Sequence, residues 1–154
     1  MMKERGKGKV ALPSVSQVGI VVKDLDRTVE FYSSTFGIGP FEIRESNLEG
    51  VMLRGKPTTG RLRIAFAQAG QVQLELIQPL EGETPHAEFL RKKGEGLHHL
   101  AFFVSDIDNK LAQLAEQGIK PFFNGDSRSR SFAYLDTDKI GGVIIELIQW
   151  KSKV

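Results

Sequence analysis

Two stretches, Gln17-Val-Gly-Ile-Val-Val-Lys-Asp-Leu-Asp26 and His99-Leu-Ala-Phe-Phe-Val-Ser-Asp-Ile-Asp108, lie 82 residues apart and share one plan. Each opens with period-two alternation, carried by Val18, Ile20 and Val22 in the first and by Leu100, Phe102 and Val104 in the second, as in a half-buried strand. Each then reaches an aspartate, Asp24 or Asp106, placed to cap a helix. Leu25, Val29, Tyr32 and Phe36 give the first helix an apolar stripe, and Gly37 stops it. Ile107, Leu111, Leu114 and Ala115 repeat the stripe, with Gly118 as the stop.

A second echo follows in each half, since Val72-Gln-Leu-Glu-Leu-Ile-Gln78 matches Val143-Ile-Ile-Glu-Leu-Ile-Gln149 at five of seven positions. Between helix and final strand, strand-like runs cover 41–47 and 62–68 in the first half and 120–124 and 132–136 in the second. Each half therefore reads β-α-β-β-β. Thr84-Pro85 opens a short linking helix over about 85–92. The expected organisation is a lead-in over residues 1–13 and one domain over 14–150, with modules at about 14–80 and 97–150 and the linking helix within 84–93. The fold class is α+β: two tandem βαβββ modules forming a cleft-shaped, partly closed mixed sheet.

Alternation also selects the residues that look into the cleft. If Val18, Ile20 and Val22 face the helix, Gln17 and Gly19 face the other way, and so do His99 and Ala101 in the second half. In the last strands Leu74, Leu76, Ile145 and Leu147 take the core side, leaving Glu75 and Glu146 on the cleft side. Unpaired buried carboxylates are costly, so two at equivalent positions call for a cation, a proton or an arginine. One divalent ion held by Gln17, Glu75, His99 and Glu146 satisfies both. This nitrogen and oxygen donor set suits zinc, nickel, cobalt or manganese, with positions left open for substrate.

Composition narrows the alternatives. The 154 residues suffice for one compact domain. No apolar run is long enough to span a bilayer, and the basic, glycine-rich start lacks the apolar core of a secretory signal, so a cytoplasmic location is expected. Cysteine is absent, which leaves histidine and carboxylates as metal donors. The 21 basic and 19 acidic residues are intermixed, with a net charge of +2, so neither a nucleic acid nor a membrane is the expected partner.

These residues resemble the vicinal oxygen chelate superfamily, which includes glyoxalase I, methylmalonyl-CoA epimerase, extradiol dioxygenases and bleomycin-resistance proteins. The resemblance spans about 14–149 and implies a glyoxalase-like fold, with metal ligands at the positions of Gln17, Glu75, His99 and Glu146. Gly94-Glu-Gly-Leu-His-His-Leu-Ala101 and Leu74-Glu-Leu-Ile-Gln-Pro-Leu80 look most like methylmalonyl-CoA epimerase. The Gln-Glu-His-Glu set resembles some forms of glyoxalase I, where the epimerase usually has His at the position of Gln17.

What the resemblance implies is an isomerase or lyase that moves a proton next to a carbonyl through a metal-stabilised enolate, with Glu146 as both ligand and base. A thioester or thiol-adduct substrate and a homodimer are implied too. Thr59 falls where the epimerase carries a second catalytic acid, and Glu45 and Glu49 are the nearest carboxylates in sequence. A drug- or metabolite-binding module is the alternative, and an extradiol dioxygenase a more distant one.

Other residues are read more simply. His98 faces away from the cleft as a structural side chain, and His86 on the linking helix is exposed. Arg128 and Arg130 either sit in a solvated loop, the preferred reading, or grip an anion at the cleft mouth. Phe103, Phe123 and Tyr134 serve as cleft wall or core. Pro121 near a strand start suggests a protected sheet edge, with dimerisation through an exposed one.

Overall fold

The computed structural model describes residues 8–152; residues 1–7 of the expected lead-in lie outside this range. Eleven elements follow in order among the described residues: β1 (Gln17–Val21), α1 (Leu25–Phe36), β2 (Glu42–Leu53), β3 (Lys56–Ala69), β4 (Val72–Gly82), α2 (Pro85–Lys93), β5 (Gly96–Phe103), α3 (Ile107–Ala115), β6 (Pro121–Asp126), β7 (Arg130–Leu135) and β8 (Ile144–Trp150). Among them no helix is long and apolar enough to cross a membrane.

Both modules use the same device to start their helices. Asp24 accepts from the Arg27 N–H and Asp106 from the Asn109 N–H, satisfying otherwise free donors of the first turn. A glutamine from the module's last strand adds a second acceptor: Gln78 Oε1 takes the Leu25 N–H at 2.8 Å, and Gln149 Oε1 takes the Ile107 N–H at 3.0 Å. The glutamine ending each echo thus ties its last strand to the start of its helix. Gly37 closes α1 in the left-handed region (φ 67°), which its missing Cβ permits, and its N–H returns to Ser33 O.

The strands close into a barrel in the order β1-β4-β3-β2-β6-β7-β8-β5. Each module supplies four consecutive strands. They join through the antiparallel pair β1–β5 and through β2–β6, which meet over only Val51–Leu53 against Phe123–Gly125. The short second seam leaves the 42–48 part of β2 paired to β3 alone, and the cleft opens there. Leu62, Ile64, Ile77, Phe123, Phe132 and Ile148 fill the barrel interior, while α1 and α3 cover separate apolar clusters on its outer faces.

Two expectations change. The β2–β3 hairpin runs to a tight turn at Arg54-Gly55, both at positive φ, and takes in residues 48–61, beyond the strand-like runs expected at 41–47 and 62–68; Gly50, Pro57 and Gly60 interrupt the alternation there. A bulge between Leu48 and Val51 absorbs the irregularity, and pairing with β6 carries the strand onward. Pro121 marks no sheet edge, since β6 lies between β2 and β7; the unpaired edge among the described strands is the 42–48 part of β2.

Candidate metal centre

Register sets Gln17, Glu75, His99 and Glu146 side by side. In one row across the barrel, Glu75 pairs with Gly19 and Gly19 with His99. In the next, Gln73 pairs with Gln17, Gln17 with Ala101, Ala101 with Glu146, and Glu146 with Tyr134. The small residues Gly19 and Ala101 lie between the large polar ones. This spacing is required: a Cβ on Gly19 would land on the His99 imidazole, so only glycine lets that ring lie across β1.

All four polar residues are buried. Gln17, Glu75 and Glu146 line a cavity of about 290 Å3. His99 Nε2 stands 3.1 Å from Glu146 Oε2 and 3.9 Å from Glu75 Oε1. Gln17 donates through Nε2 to Gln73 Oε1 at 2.8 Å, which fixes the amide and leaves its own Oε1 buried without a partner. His99 Nε2 is likewise buried without a hydrogen bond. An unmade hydrogen bond at a buried polar atom costs about 1–3 kcal/mol, and both orphaned atoms are good metal donors. Burial pushes Glu75 up to about 7, against the pull of Arg130 and Arg44. Burial, and then the neighbouring Glu75 charge, raises Glu146 well above the ordinary carboxylate range. Two costly carboxylates beside two orphaned donors fit a divalent cation by charge and by donor type.

A second group, His86, His98 and His99, brings its ligand atoms within 4.8 Å of one another. In this group His86 Nε2 pairs with Tyr134 OH at 2.8 Å and the Nδ1 atoms of His98 and His99 lie 3.0 Å apart, while His86 Nδ1 and His98 Nε2 are buried without a partner. Three neutral imidazoles would also leave a buried divalent charge uncompensated, whereas the carboxylate set neutralises it. Charge balance alone therefore matches a divalent cation better to the side of His99 that faces Glu75 and Glu146.

The remaining sequence expectations divide. His86, expected to be exposed, is buried: Thr84 caps α2 through the Ala87 N–H, and the first turn of that helix lies against the barrel, while its last turn carries the basic residues outward. The spacing of His86, Phe89 and Leu90 is the amphipathic signal that marks it. His98 is buried beside His86 and Phe89 and does not line the cavity. Of the two loop arginines, Arg128 is exposed, whereas Arg130 begins β7, lines the cavity and stacks over Phe132 and Trp150. The solvated-loop reading holds for the first and fails for the second, because the strand starts earlier than expected.

Phe123 and Tyr134 line the cavity and Phe103 does not. Thr59, Glu45 and Glu49 are exposed and absent from the cavity wall, and Glu45 pairs with Arg61 at 3.2 Å. Arg44, Phe66, Gln73 and Trp150 line the cavity without having been singled out in the sequence. Gln73 and Phe66 carry a retrospective signal, being the register neighbours of Gln17 and Glu75.

Residues 16–134 match the model of the family described as the Glyoxalase/Bleomycin resistance protein/Dioxygenase superfamily. The chain is 31% identical over 141 residues to the uncharacterized protein YqjC of Bacillus subtilis (strain 168), covering 90% of this chain and 93% of that protein. It is 27% identical to human mitochondrial methylmalonyl-CoA epimerase over 142 residues, which is 90% of this chain and 74% of the relative. Among solved structures, a variant of Streptomyces coelicolor methylmalonyl-CoA epimerase in complex with 2-nitronate-propionyl-CoA superposes with a TM-score of 0.71 at 25% identity, covering 92% of this chain and all of that one. The Mycobacterium tuberculosis methylmalonyl-CoA epimerase gives a TM-score of 0.70 at 26% identity, with 92% and 90% covered.

Proposed function

The chain belongs to the glyoxalase/bleomycin resistance protein/dioxygenase superfamily, and from that premise we propose that it is a metal-dependent isomerase or lyase moving a proton on the carbon next to a carbonyl. The observation that carries the reading is the approach of Glu75 and Glu146 to the buried, unpartnered His99 Nε2, with both carboxylates and Gln17, whose Oε1 is also unpartnered, lining one cavity. Gln17, Glu75, His99 and Glu146 are the proposed ligands. A divalent ion held there would supply Lewis-acid stabilisation of negative charge on a substrate oxygen.

Glu146 is the proposed base. Its carboxylate takes the C–H proton, and the same group then returns it to the substrate, so protons balance within one residue. Among the described residues no carboxylate besides Glu75 and Glu146 lines the cavity. Both approach His99 Nε2, at 3.9 and 3.1 Å, while Thr59, Glu45 and Glu49 lie off the cavity wall. Transfer through one base, as in a lactoylglutathione lyase-type shift, is therefore favoured over two-base epimerisation. Arg44 and Arg130 bring positive charge to the cavity wall, and Phe132 and Trp150 hold Arg130 there, which suits an anionic thioester or thiol adduct.

The test is deuterium exchange from solvent into the carbon next to the carbonyl of methylmalonyl-CoA and of a glutathione hemithioacetal, after reconstitution with zinc, nickel, cobalt or manganese. Metal-dependent exchange is expected. In Glu146→Gln it falls about 100- to 10,000-fold while about one metal per chain is retained. A protein that takes up none of the four metals overturns the reading. The absence of a second acid favours the binding-module alternative in that case, and tight ligand binding without exchange would establish it.

A further inference from the structure

The two consecutive histidines of β5 are both buried, although alternation would send one of them outward. The cause is a bulge. Gly19 of β1 pairs with His99 and Ile20 with Leu97, so His98 is the extra residue opposite no partner. The bulge turns the His98 ring beside that of its neighbour, with the planes at 87° and the two Nδ1 atoms 3.0 Å apart.

Two ring nitrogens at that distance hold one proton between them, so one is N–H and the other a lone pair. Were the proton on His98, His99 would carry its own at Nε2 and donate it to the nearby carboxylate. His99 Nε2 lies 3.1 Å from Glu146 Oε2, yet it makes no hydrogen bond of acceptable geometry. His98 Nε2 is orphaned in the same way, so it is the ligand role of His99 Nε2, which requires a lone pair, that sets the shared proton on His99 Nδ1. His98 is held on its other side by the Phe89 ring, edge-on at 5.0 Å, and by His86, so it cannot turn away.

We infer that His98 is a positioning residue: its Nδ1 accepts the Nδ1–H of His99 and so fixes the tautomer that leaves His99 Nε2 as a lone pair facing Glu75 and Glu146. The inference rests on the metal-centre reading for its purpose, but the tautomer is a property of the metal-free protein. Partners that hold a ligand imidazole in one tautomer commonly change metal affinity 10- to 100-fold.

Long-range nitrogen–proton NMR on the metal-free wild type reads both rings directly. The expected pattern is His99 protonated at Nδ1 and His98 at Nε2; a His99 proton at Nε2 overturns the inference, whatever the protein does with metal. Zinc titration against a competing chelator then compares His98→Leu with His98→Asn, whose side-chain oxygen replaces the acceptor. Affinity should fall about 10- to 100-fold in the first and return to within a few-fold of wild type in the second. Equal affinity of wild type and His98→Leu overturns the inference. So does zinc binding that survives a Glu75→Gln/Glu146→Gln double change and is lost in His86→Phe, since His98 would then be a ligand. A wild type that binds no zinc refutes the metal centre itself, a result distinct from a wrong tautomer.

Discussion

Gly19 lies directly beneath the His99 imidazole, and a Cβ at that position would overlap the ring. The Gly19→Ala substitution therefore has to displace either the ring or β1, since the two are register partners across the β1–β5 seam. We expect a loss of about 1–3 kcal/mol of stability, as for other overpacked sites, together with at least tenfold weaker metal binding. Chemical denaturation and metal titration on one preparation would measure both. Wild-type metal affinity in this variant would refute the placement of His99.

The raised pKa of Glu75 has a sign that can be checked in metal-free protein. Its protonated form favours the fold, so its contribution is fully present below the ordinary carboxylate value of 4.5 and is lost as pH rises through about 7. The neutral variant Glu75→Gln should melt about 5 °C or more above wild type at pH 8 in chelator. That gap should close toward pH 5. The buried histidines, whose neutral forms are favoured and which act in the opposite direction, are common to both proteins, and thermal melts across the series isolate the glutamate.

Metal binding must displace the proton that burial holds on the carboxylates. Each displaced proton should add up to about a factor of ten per pH unit to the apparent affinity, the Glu75 share ending at about 7, with the protons taken up by the buffer. Calorimetry in two buffers of different ionisation enthalpy counts the protons released. Under the same reading, metal at 100 times its dissociation constant stabilises by about 2.7 kcal/mol, which raises the melting temperature by about 5–10 °C. A melting temperature indifferent to all four candidate metals would contradict the site.

Gln78 and Gln149 hold the first N–H of α1 and α3 respectively. Replacing either by leucine should cost about 1 kcal/mol by urea denaturation, the ordinary value of a lost hydrogen bond. The two losses should be similar because the contacts are repeat-equivalent. A negligible effect at both would show that the aspartate caps alone suffice.

Much of this was legible in the chain because the information is local. Period-two alternation puts Gln17, Glu75, His99 and Glu146 on one face of their strands, and the repeat shows that the four positions correspond in pairs. Asp24, Asp106, Gly37 and Thr84 carry their capping roles in residue type and place. Where the alternation broke, the reading stopped short: the bulge near Gly50 hid half of the β2–β3 hairpin, and the bulge at His98 hid the contact of that residue with His99.

The sequence by itself determined two βαβββ modules and the four inward polar side chains, since strand period and helix caps depend only on near neighbours. The tertiary structure alone decided which rows adjoin, how the barrel closes, that α2 buries His86 against Tyr134, and that Arg130 rather than Arg128 reaches the cavity. These depend on register and closure between segments far apart in the chain, where a shift of one residue turns each side chain to the opposite face.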